Sequence, residues 1–259
     1  AFKCALTREA LRRGWPVSFR YERAIRDEPH FIERLVAGGT NCVVFIDIHE
    51  ESIPVAGALK QAGIPVIAVG TPLPVLKSLK IPVVSPNGRA AMQDLVLALV
   101  SRGKRQIVLT GISTPVRSND HLHGFAAAYQ MLGLDYPADM VVEGYDFEYI
   151  VRSLRRRFKG NPPPDAILFE ECSSFLKLIE LMPELPGAIR DGLTAAVFDE
   201  LYLDEKFPDL PVVSVRIPAG TAGQKCAELI GLVVANKKVP QLTKLGSSIV
   251  WPARAAGSG

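Results

Sequence analysis

Gly103 to Leu134, GKRQIVLTGISTPVRSNDHLHGFAAAYQMLGL, is the stretch whose reading decides the fold. Gln106 to Thr110 (QIVLT) is a short β-branched apolar run between Gly103 and Gly111, the pattern of a strand buried on both faces of a parallel sheet. A polar loop, Ser113 to Asp120, follows. Phe125, Tyr129 and Leu132 then recur at helical spacing, so the helix is expected over Leu122 to Leu132. Strand, loop and helix in this order belong to an open α/β sheet, where small ligands bind in the loops beyond the carboxyl ends of the strands.

Working outward, the same grammar repeats. Upstream, a first helix is expected at Thr7 to Arg13 and a strand at Pro16 to Tyr21 (PVSFRY). Helices at Phe31 to Val36, Val55 to Gln61 and Gly88 to Arg102 then alternate with strands at Asn41 to Asp47, Ile64 to Gly70 and Pro82 to Ser85. Downstream come strands at Met140 to Val142, Ala166 to Phe169, Thr194 to Phe198 and Pro211 to Arg216, with helices at Phe147 to Phe158 and Phe175 to Leu181 between them. Strands alternating with helices at this spacing require right-handed crossovers and a parallel sheet.

Composition excludes several classes. With 259 residues, 48% of them hydrophobic, the chain can bury one large core or two smaller ones. A net charge of +3 leaves no nucleic-acid footprint. No apolar run approaches the roughly 18 residues of a membrane span, so no membrane partner is expected. Cys4, Cys42, Cys172 and Cys226 form no CxxC pair, and buried free thiols in a reducing, cytoplasmic compartment fit them best. The opening AFKCALTREALRRGW has no cleavage pattern and reads as helix where a doubly wound lobe ordinarily opens on a strand, so a preceding segment is expected.

Catalytic signatures are absent: there is no GxSxG, HExxH or Walker loop, and neither a cofactor nor catalysis is expected. His121 and His123 alternate faces at a helix start and lack a third metal ligand. Glu170, Glu171 and Asp199 each follow a strand. Two such carboxylates can act as an acid and base pair, or can accept hydrogen bonds from sugar hydroxyls or an ammonium group; binding is the favoured reading.

The order GKRQIVLTG, Ser-rich loop, HGFAAAYQMLGL, followed by PPDAILFEE (163 to 171), AAVFDE (195 to 200) and FPDLPVVSVRIPAGTAGQKCAELI (207 to 230), resembles the ligand-binding domain of lac repressor and purine repressor type regulators. That family shares its fold with periplasmic sugar-binding proteins. The resemblance covers roughly Leu59 to Arg254 and implies two doubly wound parallel-sheet lobes joined by a three-strand hinge. The expected lobes are 1–112 plus 218–241 and 113–217 plus 242–259, with crossings near Ile112 to Thr114, Ile217 to Ala219 and Pro240 to Lys244. A return helix at Ala222 to Ala235 and a last strand at Ser247 to Trp251 complete the pattern.

For function, the resemblance implies a bacterial transcription regulator's effector-binding domain that forms a homodimer, acts on DNA through a module outside this chain, and closes about the hinge on a small sugar-like molecule. A periplasmic solute-binding protein is the alternative. Residue by residue, Ser113 and Ser118 match the family's serine-rich loop, while His121, with Arg117 nearby, stands at its arginine position. Glu171 and Cys172 replace an Asn-Asp pair beside Glu170; Asp199 is retained, and Gln224 begins the return helix. In the first lobe Asp47, Thr71 and Asn87 end strands where the family places contacts. Asp47, Asp199, Asn87 and Ser118 also fit as caps of the following segments, and Trp15 and Trp251 fit either a sugar ring or a core.

Overall fold

The computed structural model describes residues 2–20, 30–46, 48, 50–70, 72–112, 117–135, 137–144, 146–198, 203, 207–216 and 219–252, without the side chains of 112, 117–119, 138 and 219. The chain forms two compact units, Ala1–Pro86 with Pro218–Leu245 and Asn87–Ile217 with Gly246–Gly259.

The first unit opens with α1 (Phe2–Arg12), α2 (Phe31–Ala37), β1 (Val43–Ile46), α3 (Ile53–Gln61), β2 (Val66–Val69), α4 (Pro74–Ser78) and β3 (Val83–Ser85). The second runs through α5 (Gly88–Ser101), β4 (Ile107–Ile112), α6 (Arg117–Met131), β5 (Val141–Gly144), α7 (Phe147–Phe158), β6 (Ala166–Phe169), α8 (Cys172–Leu181), α9 (Leu185–Arg190), β7 (Thr194–Phe198) and β8 (Val212–Arg216). The chain then returns to the first unit for α10 (Ala219–Val234) and β9 (Leu242–Lys244), and ends in the second with β10 (Ser248–Val250).

In the first unit β1, β2, β3 and β9 form a parallel four-stranded sheet in that order. The second unit has a six-stranded sheet, β10-β8-β7-β6-β4-β5, parallel except for β10, which runs antiparallel to β8 at the edge. Its strands are apolar on both faces because both faces are covered. Ile107, Leu109, Leu168, Ala196 and Val213 pack with Leu95, Leu99, Phe125 and Tyr129 of α5 and α6. The alternate residues Val108, Ile167, Phe169 and Val197 pack with Ile150, Leu154, Phe175 and Leu178 of α7 and α8.

Several expectations are corrected. The lobe expected to end at 112 ends at Pro86, because β4 hydrogen-bonds to β5 and β6 and so carries α5 into the second unit; the crossing expected at Ile112 to Thr114 falls at Pro86 and Asn87. Pro240 to Lys244, read as hinge, contains β9, which pairs with β3, so the first unit extends to Leu245 and not to 241. Residues 16–20 form no strand: nothing among the described residues offers them a ladder, and Val17 and Phe19 are exposed. The helix expected from Leu122 begins at Arg117. Trp251 packs against the core of the second unit, the second of its two readings, with Arg102 3.6 Å from its ring centroid, and Arg13 lies 5.2 Å from that of Trp15. Of the cysteines, Cys4 is exposed, whereas Cys42 and Cys226 have thiols pushed up to about 12 by burial, which keeps them unreactive.

Close contact of α5 with α6 depends on Gly124. A Cβ there would run into the Arg89 carbonyl oxygen and stand 2.9 Å from the Met92 Cβ. Helix propensity alone would make Gly→Ala favourable by about 1 kcal/mol, and the collision reverses that sign. Gly124→Ala therefore lowers unfolding free energy by about 1 kcal/mol or more, while Gly57→Ala in α3, with no atom within 4 Å of its Cβ, raises it by about 0.5 to 1 kcal/mol. Urea denaturation of the two variants checks the opposite signs.

Candidate functional site

Strand register assembles the site within the second unit. Gly111 of β4 pairs with Glu143 of β5, and Thr110 pairs with Phe169 of β6, so Glu170, one residue further, comes abreast of Gly111. The Glu170 amide confirms the alignment by donating to the Thr110 carbonyl oxygen at 3.2 Å. Side chains two residues apart share a face. Glu143, Gly111, Glu170 and Phe198 thus continue the rows of Val141, Leu109, Leu168 and Ala196, on the α5 and α6 side at the carboxyl edge of the sheet.

Glu170 lies back over Gly111. The space a Cβ at 111 would take is occupied by its carboxyl group, whose Cδ is 2.9 Å away. His121 approaches from α6. It shares the inner face of that helix with Phe125, Ala128 and Tyr129, at i+4, i+7 and i+8, whereas His123 is turned outward and exposed. Its Nδ1 is 3.8 Å from Glu170 Oε1, and its ring lies 4.2 Å from that of Phe198, tilted by 34°. On the other side Nε2 is 2.7 Å from where a Cβ on Gly88 would stand, so a side chain at the first position of α5 would displace the imidazole.

This is a nearly dry site: the Glu170 side chain is 5% exposed and that of His121 15%. Burial, with Glu143 and then Glu171 adding like charge, pushes the Glu170 carboxyl up to about 8. Burial also raises Glu143. The Oε1 atoms of both are closed off from solvent and accept no hydrogen bond from the described residues. Glu170 is therefore a carboxyl group held largely protonated near neutral pH, able to donate as well as accept.

Of the residues named from sequence, the structure brings His121 and Glu170 together. Asn87 sits beside them in the left-handed conformation (φ 56°) ahead of Gly88, and its side chain makes no capping bond. Glu171 precedes α8 and accepts from Ser173 Oγ at 3.0 Å, so it borders the pair. Gln224 is exposed on α10 in the first unit. Arg117 and Ser118 lie in the first turn of α6, which places Ser118 inside the helix and not at its N-cap. Asp47, Thr71, Ser113 and Asp199 lie outside the described residues. Sequence reading missed Glu143 and Phe198, whose signal was the alternation along VVEG and AAVF once the pairing is known. Among the described residues no three His, Cys, Asp or Glu side chains are grouped as metal ligands.

No protein-family model matches the sequence, and no curated protein matches it. Solved structures do. A LacI-family regulatory protein from Chloroflexus aggregans has a TM-score of 0.82 at 23% identity, covering 97% of this chain and 90% of that one. The chain has the fold of the LacI-family regulators. Cra from Pseudomonas putida, solved with fructose 1-phosphate, superposes with a TM-score of 0.70 at 20% identity over 97% of this chain and 93% of its own. GanP, a glucose-galactose binding protein from Geobacillus stearothermophilus, gives 0.72 at 14% identity, covering 98% and 92%. The LacI fold is thus shared here by regulators and a sugar-binding protein, and none of these three is described as an enzyme.

The raised carboxyl makes stability depend on pH. Below about 4.5 Glu170 is protonated folded and unfolded alike; between there and about 8 only the folded state keeps the proton. Stability consequently falls as pH rises through this window, by at most about 1.4 kcal/mol per pH unit, and levels off above it. Glu170→Gln removes this dependence and is the more stable protein at the alkaline end. Urea midpoints of the two proteins across the window measure both effects.

Proposed function

We propose that this chain is the ligand-sensing and dimer-forming part of a bacterial transcriptional regulator, and that a small polar effector, a sugar or sugar derivative, binds at the carboxyl edge of the six-stranded sheet. One observation carries the reading: a buried carboxyl and imidazole pair at the strand ends where α/β sheets take ligands, on a fold whose sugar-binding relatives include Cra with fructose 1-phosphate. DNA contact belongs to a module outside this chain, and the working compartment is the cytoplasm. The effector biases a conformational equilibrium through its differential affinity for two states.

Expected chemistry is binding without turnover. Glu170 donates and accepts, His121 offers a second polar edge, and Phe198 supplies an aromatic wall beneath the imidazole. The likeness to GanP keeps a periplasmic sugar-binding protein as the second reading. Against it stand four cysteines, none of them in a disulfide.

A thermal-shift screen against neutral, phosphorylated and amino sugars tests the proposal. An effector at 100 times its dissociation constant stabilises the folded state by about 2.7 kcal/mol, and His121→Ala abolishes the shift. A dimer by light scattering supports the regulator, a monomer the transport component. A shift retained in His121→Ala places the ligand elsewhere.

A further inference from the structure

Three carboxyl groups stand at the carboxyl ends of the two strands that flank β4: Glu143, next to last in β5, then Glu170 and Glu171 following β6, with Gly111 of β4 between the first two. Glu143 and Glu170 project from the same face of the sheet, and one oxygen of each is shut off from water and receives no hydrogen bond from the described residues. Glu170 is more than nine-tenths buried. Carboxyl oxygens in this state cost free energy through lost hydration, and burial and the neighbouring like charge oppose ionising Glu170. A protein that keeps them there leaves acceptors waiting for donors.

Ligand classes differ in how they answer this. A phosphorylated sugar brings further negative charge into a row of acids and is disfavoured. Neutral hydroxyls supply donors but bring no charge that would let both carboxyl groups ionise side by side. A protonated amine supplies up to three donors and a positive charge at once, and relieves both costs. His121 Nδ1 stands 3.8 Å from Glu170 Oε1, too far for a hydrogen bond, so that oxygen keeps its capacity to accept.

We propose that the effector is an amino sugar whose ammonium group sits between Glu143 and Glu170, with its ring hydroxyls toward His121. This rests on the effector-binding reading given above. In a set of glucosamine, galactosamine and mannosamine, their neutral parents, their N-acetylated forms and their 6-phosphates, calorimetry on the wild-type chain finds an amine bound at least about tenfold more tightly than its neutral and acetylated counterparts. Glu143→Gln and Glu170→Gln each remove that preference, and because both exchanges keep the side-chain shape and remove a carboxyl group that burial disfavours in its ionised form, the unliganded variants melt no lower than the wild type.

A neutral or phosphorylated sugar that binds as tightly as the amine overturns the inference and leaves the effector-binding reading standing. Amine selectivity that survives both glutamine variants also overturns it. Binding by no member of the set, amine or otherwise, overturns both readings together.

Discussion

Parallel pairing of β4 with β6 on one side and β5 on the other is the constraint on which the rest of the second unit depends. It buries the strands on both faces, sends Leu109 and Leu168 toward α5 and α6, and sends Val108 and Ile167 toward α7 and α8. Because side chains alternate strictly along a strand, a slip of one residue would turn Glu170 into the apolar layer beneath α7 and α8 and bring Phe169 to the edge. Core formation and site formation are therefore one event. The hydrophobic rows that make the wrong register costly are the same rows whose last members are Glu143, Gly111, Glu170 and Phe198.

Small residues give that edge its room. Gly111 lets the Glu170 carboxyl fold back over the backbone, and Gly88 lets the His121 ring come up against the start of α5. Neither glycine touches a ligand by a side chain, yet each decides where a functional side chain rests. The resulting pair differs from a surface ion pair in that Coulomb attraction is not what holds it. Glu170 is placed by packing and register against a desolvation cost, a combination common at functional sites and rare in cores selected for stability alone.

Much of this was legible in the sequence, for identifiable reasons. The short apolar runs at 66–69, 166–169 and 194–198, and the helices at 88–101 and 147–158, announce themselves by local period and flanking turns. Glu170 and His121 were visible because each stands just past, or facing, the end of such a run. What stayed hidden was non-local. A strand's own residues do not say which strands will flank it, so β4 was assigned to the wrong lobe and Glu143 was passed over as a polar residue in a strand. Leu242 to Lys244 is too short to show a period, and only the backbone of β3 turns it into a strand. The alternating PVSFRY shows the converse: a strand-like pattern with no ladder among the described residues stays irregular.

The first unit is closed by β9, which reaches β3 only after the whole of 87–217 has intervened. During synthesis the second unit's segment from Asn87 to Ile217 leaves the ribosome as one uninterrupted length carrying five of its six strands, whereas the first unit lacks α10 and an edge strand until near the end. Domains fold as units and non-local pairings form slowly. The half that carries Glu170 and His121 can thus mature while the half that precedes it in the chain still waits for its last two elements, with the exposed edge of β3 as the surface most in need of protection in the nascent protein.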